Sequence, residues 1–223
     1  MPQPNADTRV RVSSLSLKLP QQKPEKSPFM ELQHVNVKLF LQHPEGVDFE
    51  RLIPIFHRWI QDQVWEEMLL DVADYRHVAA GPGVIVIGHQ ADYSVDNTDN
   101  RPGVRYNRKT TLDGANQDRL AQATRSALLA CQRLESEPGL DGRVRFNGQE
   151  MEVFINDRLV APNSDATREA LSFEFQSFFQ KLFAGSEYFL SYERDSRRLF
   201  TVFVKTSRIF AVADLLKNLN SPG

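Results

Sequence analysis

The chain is predicted to be an α+β protein: antiparallel sheet built from hairpins, amphipathic helices packed on one face, and a disordered tail in front. Three observations carry this. Short apolar runs alternate with polar residues and are separated by turn residues, which is the pattern of half-buried strands. Longer segments with helical apolar spacing fall between groups of such strands, as in two-layer α+β folds. Five of the twelve prolines, Pro2, Pro4, Pro20, Pro24 and Pro28, crowd into the first 30 residues.

Residues 1–30 read as the tail, because a Pro-rich, apolar-poor stretch cannot offset its ordering entropy by burial. Within it Val10, Val12, Leu15, Leu17 and Leu19 nearly alternate with polar residues. That pattern could pair with a sheet edge. Residues 31–135 form a first half. Val35, Val37, Leu39 and Leu41 alternate along a strand. Asp48 can cap a helix whose stripe includes Phe49, Leu52, Phe56, Trp59 and Ile60. Pro54 should kink that helix or restart it one turn in. The runs 69–75 and 76–80 are ambiguous short strands, and Gly81-Pro82-Gly83 marks a turn. Residues 84–95 and 104–110 read as strands flanking an Asp-rich loop. Asn116 is expected to cap a helix burying Leu120, Ala123, Ala127, Leu128, Cys131 and Leu134.

The loop 136–142, with one proline and two glycines, separates a second half, 143–223, which could still share one domain with the first. There Asn147-Gly148 between apolar runs predicts a hairpin. Asn156-Asp157 predicts a reversal into a Leu159–Val160 strand. Asn163 or Ser164 should start a Phe-rich helix that Gly185 ends. A hairpin turning at Asp195-Ser196 and a short helix capped by Ser207 complete the chain.

Composition narrows the function. A net charge of −2 gives no basic field for nucleic acid. No apolar run reaches the roughly 18 residues a membrane span needs. One cysteine excludes an intrachain disulfide framework and points to the cytoplasm. No nucleotide-binding glycine loop opens a helix, so no cofactor is expected. No G-x-S-x-G elbow surrounds Ser94, and the spacing of Asp96 to Asn100 fits no calcium loop, so neither a hydrolase nor a metal site is expected.

The chemistry concentrates between Gly81 and Lys109, where His89, Asp92, Asp96 and Asp99 precede Arg101, Arg105, Arg108 and Lys109. The candidate ligand-binding set is His89, Asp92, Arg105, Tyr106, Arg108 and Lys109, because guanidinium forks match phosphate and carboxylate oxygens. Alternation divides it: Arg105, Asn107 and Lys109 share one strand face, Tyr106 and Arg108 the other. Phe173 falls off the main stripe of its helix and suggests an interface, with a homodimer or protein partner as the consequence. The reading is a non-enzymatic binding or adaptor protein. The alternative is an enzyme or sensor for a small phosphate- or carboxylate-bearing ligand at segment 88–109.

Overall fold

The computed structural model describes residues 10–12 and 30–221. Nine strands, β1 Val10–Val12, β2 Val35–Leu41, β3 Leu69–Tyr75, β4 Gly83–Gly88, β5 Ala91–Asp96, β6 Gly103–Arg108, β7 Phe146–Ile155, β8 Tyr188–Tyr192 and β9 Phe200–Thr206, form one antiparallel sheet in the order β1-β8-β9-β7-β2-β6-β5-β4-β3. Four helices, α1 Leu52–Gln61, α2 Asn116–Glu135, α3 Asp165–Leu182 and α4 Val212–Asn220, pack on one face. The expected α+β architecture is what the chain adopts. The expected disordered tail lies outside the described residues, apart from Val10–Val12, which pair with β8.

Strand alternation decides which residues see the helices. In β2, Val35, Val37 and Leu39 face α2, while Asn36, Lys38 and Phe40 face away. On the helix side, Phe175, Phe179 and Phe183 of the α3 region meet Phe200 and Tyr188 of the sheet and Phe210 ahead of α4. Cys131 is fully buried, and burial raises its thiol pKa, so it belongs to the core as its place on the α2 stripe implies.

The halves of the sequence meet at the β2–β7 ladder, so strands from both lie in one sheet. Outward from that seam, β6 and β5 follow on one side, β9 and β8 on the other. The order β2-α1-β5-β6-α2 is repeated as β7-α3-β8-β9-α4, with the β3–β4 pair inserted into the first copy. The topology repeats although the residues show no repeat.

Local corrections follow from hydrogen bonding. Residues 84–95 are a hairpin, β4–β5, turning at His89-Gln90, so Asp92 and Asp96 lie on a strand and not in a loop. The runs 76–80 and 159–160 form no strand; Leu159 is 97% exposed, and its amide is held by the Asp157 carboxylate. Asn147-Gly148 makes no hairpin. It sits inside β7, where the register against β2 jumps between Leu39–Met151 and Leu41–Phe146. A Cβ on Gly148 would stand 2.2 Å from the Phe210 carbonyl oxygen, so glycine serves a close backbone approach there. Asn116 does not cap α2: the Asp118 carboxylate takes the Ala115 amide at 2.8 Å, and Asn116 ties Met30 and Leu32 to the helix. Ser207 does not cap α4, which begins five residues later. Pro54 lies in the first turn of α1, after a 3₁₀ turn that Asp48 caps, so the helix restarts there.

Candidate functional site

The six residues of the sequence-derived set fall in three places. Asp92 and Lys109 pair at 2.6 Å beside the β4–β5 turn, with Lys109 also donating to the Gly88 carbonyl; His89 is exposed in that turn. Arg105 stands on the open face of the sheet. Tyr106 and Arg108 point to the helix side, as alternation requires, where Tyr106 is fully buried and bonded to Gln122 at 2.9 Å.

The open face carries a dense ionic network. Lys38 and Asp96, both almost completely buried, pair at 2.6 Å, and Lys38 also donates to the Thr98 carbonyl. Arg105 approaches Asp96 at 3.4 Å and stacks on Phe154. Arg101 pairs with Glu150 at 2.7 Å and lies 3.7 Å above the Phe40 ring. Arg198, from the β8–β9 turn, reaches Asp99 of the β5–β6 turn and Glu193. These two turns emerge at opposite ends of the sheet and meet above Lys38, enclosing a cavity of about 250 Å³. Burial raises the Glu152 carboxyl pKa, with Lys38 and Arg101 pulling it back. Its main cations are engaged by carboxylates of the protein, so the network serves the fold first.

The helix side holds a larger space. The segment after α1 leaves a groove of about 790 Å³ between itself and α2, floored by β5 and β6. Ligand pockets commonly measure about 300–1,000 Å³. Trp65 forms one wall, stacked on Tyr93 at 5.2 Å and 14°, with Trp59 edge-on behind it at 5.7 Å. Glu67 fixes this wall by accepting from the Gln90 and Ala91 amides and the Tyr93 hydroxyl. Burial, reinforced by Glu67, holds Tyr93 as a neutral phenol by raising its pKa. Along α2, Arg125, Leu129 and Arg133 follow at i, i+4 and i+8 and face the groove. Arg133 stands over both indoles, 5.7 Å from Trp59 and 5.8 Å from Trp65.

Three arginines line this groove, and among the described residues none forms an ion pair. Arg108, only 9% exposed, is held by the carbonyls of Thr110 and Thr111 and by Gln90. Arg125 donates to Asn220. Arg133 Nε and Trp65 Nε1 are buried in the wall with no hydrogen-bond partner. A guanidinium group without a carboxylate partner can donate to an anion. Of this groove the sequence reading found Tyr106's neighbour Arg108 alone. Trp65 precedes Arg108 by 43 residues, and Arg125 and Arg133 follow it by 17 and 25, on separate elements that only the fold joins. The one sequence signal was the i, i+4, i+8 row on α2.

Among the described residues no group of three or more His, Cys, Asp or Glu side chains could hold a metal ion, and no helix is long and apolar enough to cross a membrane. No family model, curated protein or solved structure matches the chain.

Proposed function

We propose that the chain is a non-enzymatic binding protein that takes a small anionic ligand in the helix-side groove, working in the cytoplasm. One observation carries this reading: Arg108, Arg125 and Arg133 line a single groove, none of them is ion-paired among the described residues, and they outnumber the two carboxylates of the lining, Glu66 and Glu67. A nearly buried guanidinium held only by neutral oxygens keeps its charge available to a ligand. The proposal keeps the anionic ligand expected of segment 88–109 but draws from that segment only Gln90, Tyr93 and Arg108. Arg105 and Lys109 are engaged by Asp96 and Asp92 and stand outside it.

Thermal unfolding with a panel of small carboxylates and inorganic phosphate tests the reading. A ligand at 100 times its Kd stabilises the folded state by about 2.7 kcal/mol, which moves a domain of this size by roughly 5–11 °C. At least one panel member should raise the Tm, and Arg125→Gln with Arg133→Gln should abolish the rise. A panel that leaves the native protein unmoved would refute an anion site.

A second reading, association through α3, is favoured by Phe173. It is 75% exposed, while Phe175, Phe178 and Phe179 of the same helix are buried. A second copy or another protein would cover it.

A further inference from the structure

Resting on the groove as an anion site, we infer that its ligand is a flat, ring-bearing monoanion, an aryl carboxylate in its chemistry, rather than an inorganic ion or a polyphosphate. Three features define the class.

The first is shape. A space of about 790 Å³ far exceeds what an inorganic anion fills. Its walls are chosen for a ring: the Trp65–Tyr93 stack on one side, and on the other Leu129, an apolar residue that α2 leaves 38% exposed among polar neighbours. An apolar ring gains contact with the aromatic side chains and the leucine of this lining, whereas a hydrated ion gains nothing from either.

The second is charge. The three arginines are accompanied by Glu66 and Glu67 in the same lining. Glu67 is committed to backbone amides of the β4–β5 turn and cannot leave. A net surplus of one positive charge matches a single carboxylate. A triphosphate would bring several negative charges against the fixed carboxylate of Glu67 and that of Glu66 beside it. Tyr93 adds no charge, since burial keeps its hydroxyl protonated.

The third is donor geometry. The Arg133 guanidinium stands over both indoles, 5.7 and 5.8 Å from their ring centroids, and its N–H groups are the recognition element. A planar carboxylate matches those groups with two parallel hydrogen bonds. The Nε of Arg133 and Nε1 of Trp65 are buried in the same wall without hydrogen-bond partners.

The test is titration calorimetry on the full chain with benzoate, cyclohexanecarboxylate, acetate, inorganic phosphate and ATP, supported by tryptophan emission, since Trp59 and Trp65 are the two tryptophans of the chain and both border this wall. Benzoate should bind roughly tenfold more tightly than acetate and phosphate, because a stacked ring contributes at about that level. It should also exceed cyclohexanecarboxylate and ATP, and quench the emission. Leu129→Glu, at an exposed position that leaves the fold intact, should remove benzoate binding without lowering the Tm. Trp65→Leu should bring benzoate down to acetate's affinity, and retained acetate binding would show that this variant is folded. Equal affinities for benzoate and acetate would overturn the ring-bearing class while leaving the anion site standing. ATP as the tightest ligand would overturn the monoanion. Binding of none of the five would remove the anion site and this inference together.

Discussion

At the scale of single residues, the open face is governed by Lys38 and Asp96, whose side chains are 4% and 0% exposed. A buried pair adds little net stability against an apolar alternative, but losing one partner leaves an uncompensated charge at a cost of about 3–5 kcal/mol. Asp96→Ala should therefore lower the Tm by roughly 6–20 °C, and Lys38→Met combined with Asp96→Leu should restore much of the loss, both read by thermal unfolding. Glu152 gives a prediction in pH. Its folded pKa is raised from 4.5, first by burial. A raised pKa means that its contribution to stability is fully present below the unfolded value and lost as pH rises through the folded one. Glu152→Gln should thus melt no lower than the native protein at pH 7, and its relative advantage should shrink below about pH 4. A variant clearly less stable at pH 7 would show that the Arg101 contact outweighs desolvation.

At the scale of elements, periodicity was a dependable guide and turn chemistry was not. The apolar rows of α1, α2 and α3 and the β8–β9 hairpin were legible because each is a run of local choices that agree. Asn147-Gly148 misled because its glycine answers to Phe210, some 60 residues away, and not to a turn. The β4–β5 hairpin was missed for the opposite reason: its reversal at His89-Gln90 lacks the Asn-Gly or Asp-Gly pair that announces such turns. Glycines against backbone should be the intolerant ones. A Cβ at Gly103 would lie 2.2 Å from the Leu39 carbonyl oxygen, whereas one at Gly139 would make only ordinary contact with Ile55 at 3.6 Å. Gly103→Ala should cost about 1–3 kcal/mol or more through backbone displacement, and Gly139→Ala should be nearly neutral in a denaturant melt.

At the scale of the whole molecule, the fold class could be read from the sequence, but the site could be read only in part. The segment from Gly81 to Lys109 looked like one site because its charges are neighbours in the chain. Alternation and the β4–β5 turn send them to three places, and the groove instead gathers residues from the segment after α1, from β5 and β6, and from α2. Phe173 raises a separate question at this scale. If it marks an interface, sedimentation at micromolar concentration should give about twice 25.5 kDa, and Phe173→Ser should return a monomer with an unchanged Tm; a native monomer would leave Phe173 a solitary exposed ring. The central claim is that the groove, and not the ionic network of the open face, receives the ligand. The most direct test is an amide and indole NMR map of the native protein titrated with benzoate. Shifts should concentrate on the Trp65 indole, Tyr93, Arg125, Leu129 and Arg133. Shifts centred on Lys38, Asp96 and Arg105 would place binding on the opposite face of the sheet and contradict the account.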